Sequence, residues 1–211
     1  MTVVSFKEVS MTRRYPRSAT LAEARAQYFE DNHFGPEGGY NDAWVDFKLG
    51  PIPFPFPNTA ARVRAVRYHD LHHVLTGYAT DLQGEIEISA WEIGAGCKGF
   101  AAAWQLNLSA MGFGLFFSPR RTFRAFVRGR RSHSLYDQEL QALLRRRVGD
   151  VADELGVDHP RAIEPADLPL FLAASLAGLV TGSAMLAVLI PVLPFALVGL
   201  NAKRRLTPTA G

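Results

Sequence analysis

The chain has 211 residues, 48% of them apolar, 20% charged and 11% aromatic, with a formal net charge of +3. That composition excludes a largely disordered chain, and a lone cysteine, Cys97, excludes a disulfide framework and any multi-cysteine zinc site. The opening Met1-Thr-Val-Val-Ser-Phe lacks the charged region and long apolar run of a secretory signal, so the expectation is a chain made and kept on the cytosolic side.

In chain order, Thr20 followed by Glu23 forms a capping-box pattern and predicts a helix over 20–32. Prolines at alternate positions in Pro51-Ile-Pro-Phe-Pro-Phe-Pro57 forbid a helix, so 35–58 reads as an extended, polyproline-like arm. Phe47, Phe54 and Phe56 make that arm apolar and suggest that it wraps onto a core. From residue 59 the pattern is helical. A first segment ends at Gly77, a natural C-cap; a second starts at a Thr80/Gln83 capping box and ends near Ile93, ahead of Gly94 and Gly96. Residues 97–117 read as a buried apolar helix, and Ser118-Pro119 supplies the N-cap and first-turn proline of the next. A last helical stretch from about Leu135 closes at Gly156, with a break near Gly149. The fold class is all-α, divided into an N-terminal helix and proline-rich arm (1–58), a helical core (59–157) and a linker with an apolar tail (158–211).

Charge is unevenly placed. Nine arginines between Ser118 and Arg147 face only Asp137 and Glu139, a local charge of +7 that leaves −4 for the rest. No nucleic-acid motif accompanies these arginines, so the reading is a solvated helix face and no nucleic-acid partner. The 33 residues of 168–200 hold no charge and no histidine. A helix over 170–190 would be about 31 Å long, close to the hydrocarbon thickness of a bilayer. Ala174, Gly178 and Gly182 place a small residue at every fourth position, as in closely packed membrane helices. A single span would put Lys203-Arg204-Arg205 opposite the cytosol, whereas a re-entrant hairpin turning at Thr181-Gly-Ser183 would keep both ends on one side.

The chemistry-bearing segment is Tyr68-His69-Asp70-Leu71-His72-His73. His69 and His73, four apart, stack on one helix face, and Asp70 borders it. Glu85, twelve residues after His73 on the next helix, can face them across a short connection. Two imidazoles and two carboxylates can close around one divalent ion; the same spacing also suits surface histidines paired with a carboxylate. His72 points about 100° away and reads as supporting. Counting excludes a di-iron histidine-box enzyme, because the chain has six histidines and only three cluster.

His69-Asp70-x-x-His73, eleven residues, then Glu85, together with the sequence through Val74-Leu-Thr-Gly-Tyr-Ala-Thr-Asp-Leu-Gln-Gly-Glu85, resembles the ubiquinone (coenzyme Q) biosynthesis protein 4 family. Ala125-Phe-Val-Arg-Gly-Arg-Arg131 and Val151-Ala-Asp-Glu-Leu-Gly156 extend the likeness, which covers roughly 58–157. The resemblance implies His69, Asp70, His73 and Glu85 as ligands of a divalent metal, zinc first, with iron, manganese or cobalt as alternatives. It also implies a prenylated aromatic substrate that loses a carboxyl and gains a hydroxyl at ring C1. The apolar segment 168–200 leads to the expectation of a place on the cytoplasmic side of the inner membrane, with a second copy of the chain in a homo-oligomer and other quinone-biosynthesis proteins as expected partners. A non-catalytic lipid-binding scaffold for those partners is the competing expectation.

Overall fold

The computed structural model describes residues 15–45, 48–49, 52–53, 56–158 and 162–206. Eight helices dominate it: α1 (Leu21–Asp31), α2 (Ala60–Thr76), α3 (Leu82–Ala95), α4 (Ala101–Phe117), α5 (Pro119–Arg130), α6 (Leu140–Leu144), α7 (Val148–Leu155) and α8 (Asp167–Leu206). The fold is all-α. Among the described residues, short strands occur only as a hairpin-like pairing in the arm: β1 (Trp44–Val45) runs antiparallel to β4 (Phe56–Pro57), and β2 (Lys48–Leu49) to β3 (Ile52–Pro53). The arm is therefore not a free polyproline strand. Prolines at alternate positions strip donors from one edge only, which leaves the intervening amides of Ile52 and Phe56 on the edge that meets the partner. Phe47, Phe54 and the Phe56 side chain lie outside the described residues, and with them the expectation that they seat the arm on the core.

Local signals place the helix ends. The Thr20 hydroxyl accepts from Glu23 N–H at 3.2 Å while the Glu23 carboxylate accepts from Thr20 N–H at 2.8 Å, which closes the capping box of α1. Thr59 caps α2, and Gly77 ends it with φ 78°, a left-handed conformation open to glycine at little steric cost. Several boundaries differ from the sequence reading: α4 starts at Ala101 rather than at residue 97, α6 at Leu140 rather than near Leu135, and three more have a visible cause. Asp81, not Thr80, caps α3, its carboxylate accepting from Gly84 N–H at 2.7 Å, while the Thr80 hydroxyl donates to Asn32. Helix α3 runs through Gly94 to Ala95 because that glycine serves packing rather than termination: a Cβ there would strike the Phe126 carbonyl of α5. The break before α7 falls at 145–147 rather than at Gly149, because the backbone there pairs with the start of the chain: Leu21 N–H donates to Arg146 O at 2.8 Å and Val148 N–H to Ala19 O at 2.9 Å.

The core joins all these helices, with Leu21, Leu71, Val74, Ile88, Trp91, Met111, Leu135, Val148 and Val151 each fully or almost fully buried. The arginine-rich stretch is solvated in part, with Arg120, Arg121, Arg124, Arg145 and Arg147 exposed, and several of its members are also tied to the fold. Arg121 pairs with Glu87 at 2.7 Å, Arg128 donates to Thr76 O and Val157 O, and Arg131 meets the buried Asp167 at 2.9 Å.

Helix α8 is one continuous helix of 40 residues, and no turn interrupts it at 181–183. The hairpin expectation is thereby corrected; nothing in Thr181-Gly-Ser183 removes a backbone hydrogen bond, and Gly182 faces the Ser109 and Phe113 side chains of α4. Its small-residue stripe presses on α4: a Cβ on Gly178 would fall on the Leu108 carbonyl, and one on Gly112 would meet the backbone of Gly178 and Leu179. The segment Asp167–Pro191 is long and apolar enough to cross a membrane, and only 17% of its most apolar window is buried.

Candidate metal centre

His69 and His73 stand one turn apart on α2, and the chain reverses through Gly77 to bring α3 alongside. Glu85 and Glu92, seven residues apart on α3, both face those histidines. The His69 and His73 Nε2 atoms lie 3.2 Å apart. The two oxygens of Glu85 lie 3.2 Å from His69 Nε2 and 3.3 Å from His73 Nε2. Ligand atoms bonded at about 2.0–2.1 Å to a tetrahedral ion stand about 3.3 Å from one another, close to the separation of the two Nε2 atoms, and one atom from each of the three residues can be chosen within 4.8 Å of the others.

Hydrogen bonds fix which ring nitrogens are available. His73 Nδ1 is 3.0 Å from Tyr78 O, which can only accept, so Nδ1 carries the proton and Nε2 offers a lone pair. His69 Nδ1 donates to Glu92 Oε1 at 2.9 Å, so in the neutral ring Nε2 offers a lone pair as well. With both rings neutral the two lone pairs face each other, and a proton or a metal ion on Nε2 relieves their repulsion. Each histidine backed by a carboxylate or carbonyl on its far nitrogen is the usual support of a metal-bound imidazole. The Tyr28 ring of α1 stacks on His73 at 5.7 Å and 21°, which further fixes that ring.

Glu92 is the residue that sequence reasoning missed. Its side chain is fully buried and accepts four hydrogen bonds. Oε1 receives His69 Nδ1 at 2.9 Å and His72 Nδ1 at 2.7 Å; Oε2 receives the Tyr136 hydroxyl at 2.7 Å and the Asn107 amide. The signal was present: an acid seven residues after Glu85 on the same helix face, wedged between Trp91 and Ile93. Tyr136 and Asn107 carry no such signal, since their approach depends on packing of α4 and the loop before α6. His72 has the supporting place expected of it. Its Nε2 accepts Leu135 N–H at 2.9 Å and its Nδ1 donates to Glu92.

Neither a family model, nor a curated protein, nor a solved structure matches this chain.

Asp70 is not part of the converging group of His69, His73 and Glu85. It is buried beside them, and its Oδ2 accepts from the Tyr40 hydroxyl at 2.5 Å. Burial raises the Asp70 pKa, while the Tyr40 hydrogen bond works the other way. Cys97 is buried and its thiol is pushed up by burial and by Glu92, which suits an inert packing role.

Electrostatics favour a cation at the group. Burial lowers the pKa of His72 and keeps it neutral. Burial also opposes charge on His69, but Glu92 and Glu85 overcome it and raise His69 well above the ordinary histidine value. Burial disfavours charge on Glu85 and Glu92 too, yet the facing imidazoles hold both well below the usual carboxylate range. A proton and a metal ion therefore compete for His69 Nε2. The apparent affinity for a divalent ion is expected to rise with pH, and to keep rising above the ordinary histidine range, because His69 must release its proton to coordinate. Calorimetric titration with cobalt(II) across and above that range measures it, and a flat profile would show that His69 is not a ligand.

Proposed function

We propose that this chain is a metal-dependent, membrane-attached protein of ubiquinone-biosynthesis type, acting on a prenylated aromatic precursor at ring C1. The observation that supports this reading is the convergence of two Nε2 lone pairs and one carboxylate, each imidazole held in that tautomer by Glu92 or Tyr78 O. Of the four signature residues, His69, His73 and Glu85 supply the converging atoms, while Asp70 stands beside them with its Oδ2 held by the Tyr40 hydroxyl; zinc is preferred, with iron, manganese or cobalt as alternatives. A bound divalent ion supplies Lewis acidity toward a carboxylate or phenolate oxygen, and a redox-active one adds oxygen chemistry.

The chain's own part is positional. His69 and His73 hold their ligand atoms on one helix face, and their side chains are 18% and 1% exposed. Glu85, at 41%, marks the side open to a substrate. Helix α8 attaches this centre to the membrane in which a prenyl tail resides, with the centre on the cytosolic face and further quinone-biosynthesis proteins as partners.

The test is lipid profiling of a deletion strain complemented with the wild-type gene or with His73→Ala. The expected result is quinone restored by the wild type alone, with a carboxylated prenyl precursor accumulating in the variant strain. Normal quinone from metal-free His73→Ala protein would leave only the scaffold role.

A further inference from the structure

The apolar run of 168–200 is too long for one perpendicular crossing. As continuous helix it measures about 50 Å, against a hydrocarbon thickness of about 30 Å. The proximal half is already in use. Phe171, Ser175, Gly178 and Gly182 lie on the buried edge of α8; Ser175 and Gly178 meet the backbone of α4 closely, and Gly182 faces the Ser109 and Phe113 side chains. The two helices run antiparallel: Gln105, in the first turns of α4, donates its amide to Thr181 O at 3.3 Å, while Gly112, further along α4, meets the backbone at Ser175 and Leu179. Helix α4 is in turn packed against α3 and α5, which carry the Glu87–Arg121 ion pair, and the buried Asp167 at the base of α8 pairs with Arg130 and Arg131. A bilayer around the proximal half would have to enclose that charged body.

We propose that the segment crossing the bilayer is 183–202, and that Asp167 to Gly182 is a stalk fastened to the folded domain. The 20 residues of 183–202 carry no charge and end at Lys203-Arg204-Arg205. Their helical length of about 30 Å equals the hydrocarbon core. Trp104, 38% exposed on the first turn of α4 beside Gln105, stands where α8 leaves the domain, the level at which tryptophan favours a membrane surface. Pro191 and Pro194 fall inside the crossing, where membrane helices tolerate proline.

This inference rests on the membrane reading above, and the experiment separates the two. The full chain is expressed in membranes as wild type, Leu176→Lys and Leu193→Lys, and partition is measured after carbonate extraction. Leu176 is 62% exposed, so lysine there leaves the packing intact. The expected result is that Leu176→Lys partitions as the wild type does, while Leu193→Lys loses on the order of a hundredfold in membrane partition, the effect of lysine near mid-bilayer. As a second readout, a membrane-impermeant maleimide applied to opened vesicles should label Leu176→Cys and leave Leu193→Cys protected. The reverse pattern in either measurement places the crossing at 170–190 and overturns the proposal. Wild-type protein that stays soluble without detergent overturns the membrane reading itself.

Discussion

Replacing Glu92 with alanine is expected to destabilise the protein by about 3–5 kcal/mol, the cost of removing one member of a buried charged network. Four hydrogen-bond donors, from His69, His72, Asn107 and Tyr136, would lose their acceptor inside the core. For a chain of this size the melting midpoint should fall by roughly ten degrees. Glu92→Gln keeps an oxygen for the two imidazoles but turns an amide toward Asn107, donor against donor, so its loss should be about half as large. The same variants should weaken metal affinity by about 10–100-fold, because His69 loses the partner that holds its ring and tautomer. Thermal unfolding of the detergent-solubilised full chain with and without EDTA separates the two effects. A Glu92→Ala protein that melts within two or three degrees of the wild type would show that the network is not a structural keystone.

Purified wild type is expected to hold about one divalent ion per chain, and the double variant His69→Ala/His73→Ala none. Elemental analysis of protein prepared without chelator is the measurement. Loss of the ion should also lower stability, since the ion links α2 to α3 through Glu85, whereas the apolar core around Trp91 and Leu71 stays in place. The double variant should therefore remain folded by circular dichroism while losing the stabilisation that added zinc gives the wild type. Equal metal content in the two proteins would remove the centre from these three residues.

Much of the fold was legible because its signals are local. Thr20 with Glu23, Thr59, Gly77 and Pro119 mark helix ends through contacts within one turn, and those boundaries stand within a residue or two. Some misreadings fall where a glycine answers to a distant partner. Gly94 resembles a stop and is a contact with α5; Gly149 resembles a break and lies inside α7, the break being set by pairing with residues 17–21. Pro191 and Pro194 are a separate case: helix breakers by type, they fall inside α8, which continues through both. Likewise His69, His73 and Glu85 were readable from helical spacing plus one short connection. The Tyr40 hold on Asp70 and the Tyr136 and Asn107 contacts to Glu92 join residues 15 to 44 positions apart, beyond the reach of any periodicity.

The uneven exposure of the three converging residues has a kinetic consequence. Both histidines are locked on their inner side, His73 to a backbone carbonyl and His69 to a buried carboxylate, so neither ring can swing outward to release a bound ion. Among the described residues the Glu85 carboxylate meets the two imidazoles themselves, and it is the most exposed of the three. Ion exchange should therefore proceed by the carboxylate arm opening first, leaving the two imidazoles as a standing half-site. Shortening that arm, as in Glu85→Asp, should speed release far more than it slows capture, so that the lifetime of the occupied centre is set by a single side chain at its rim.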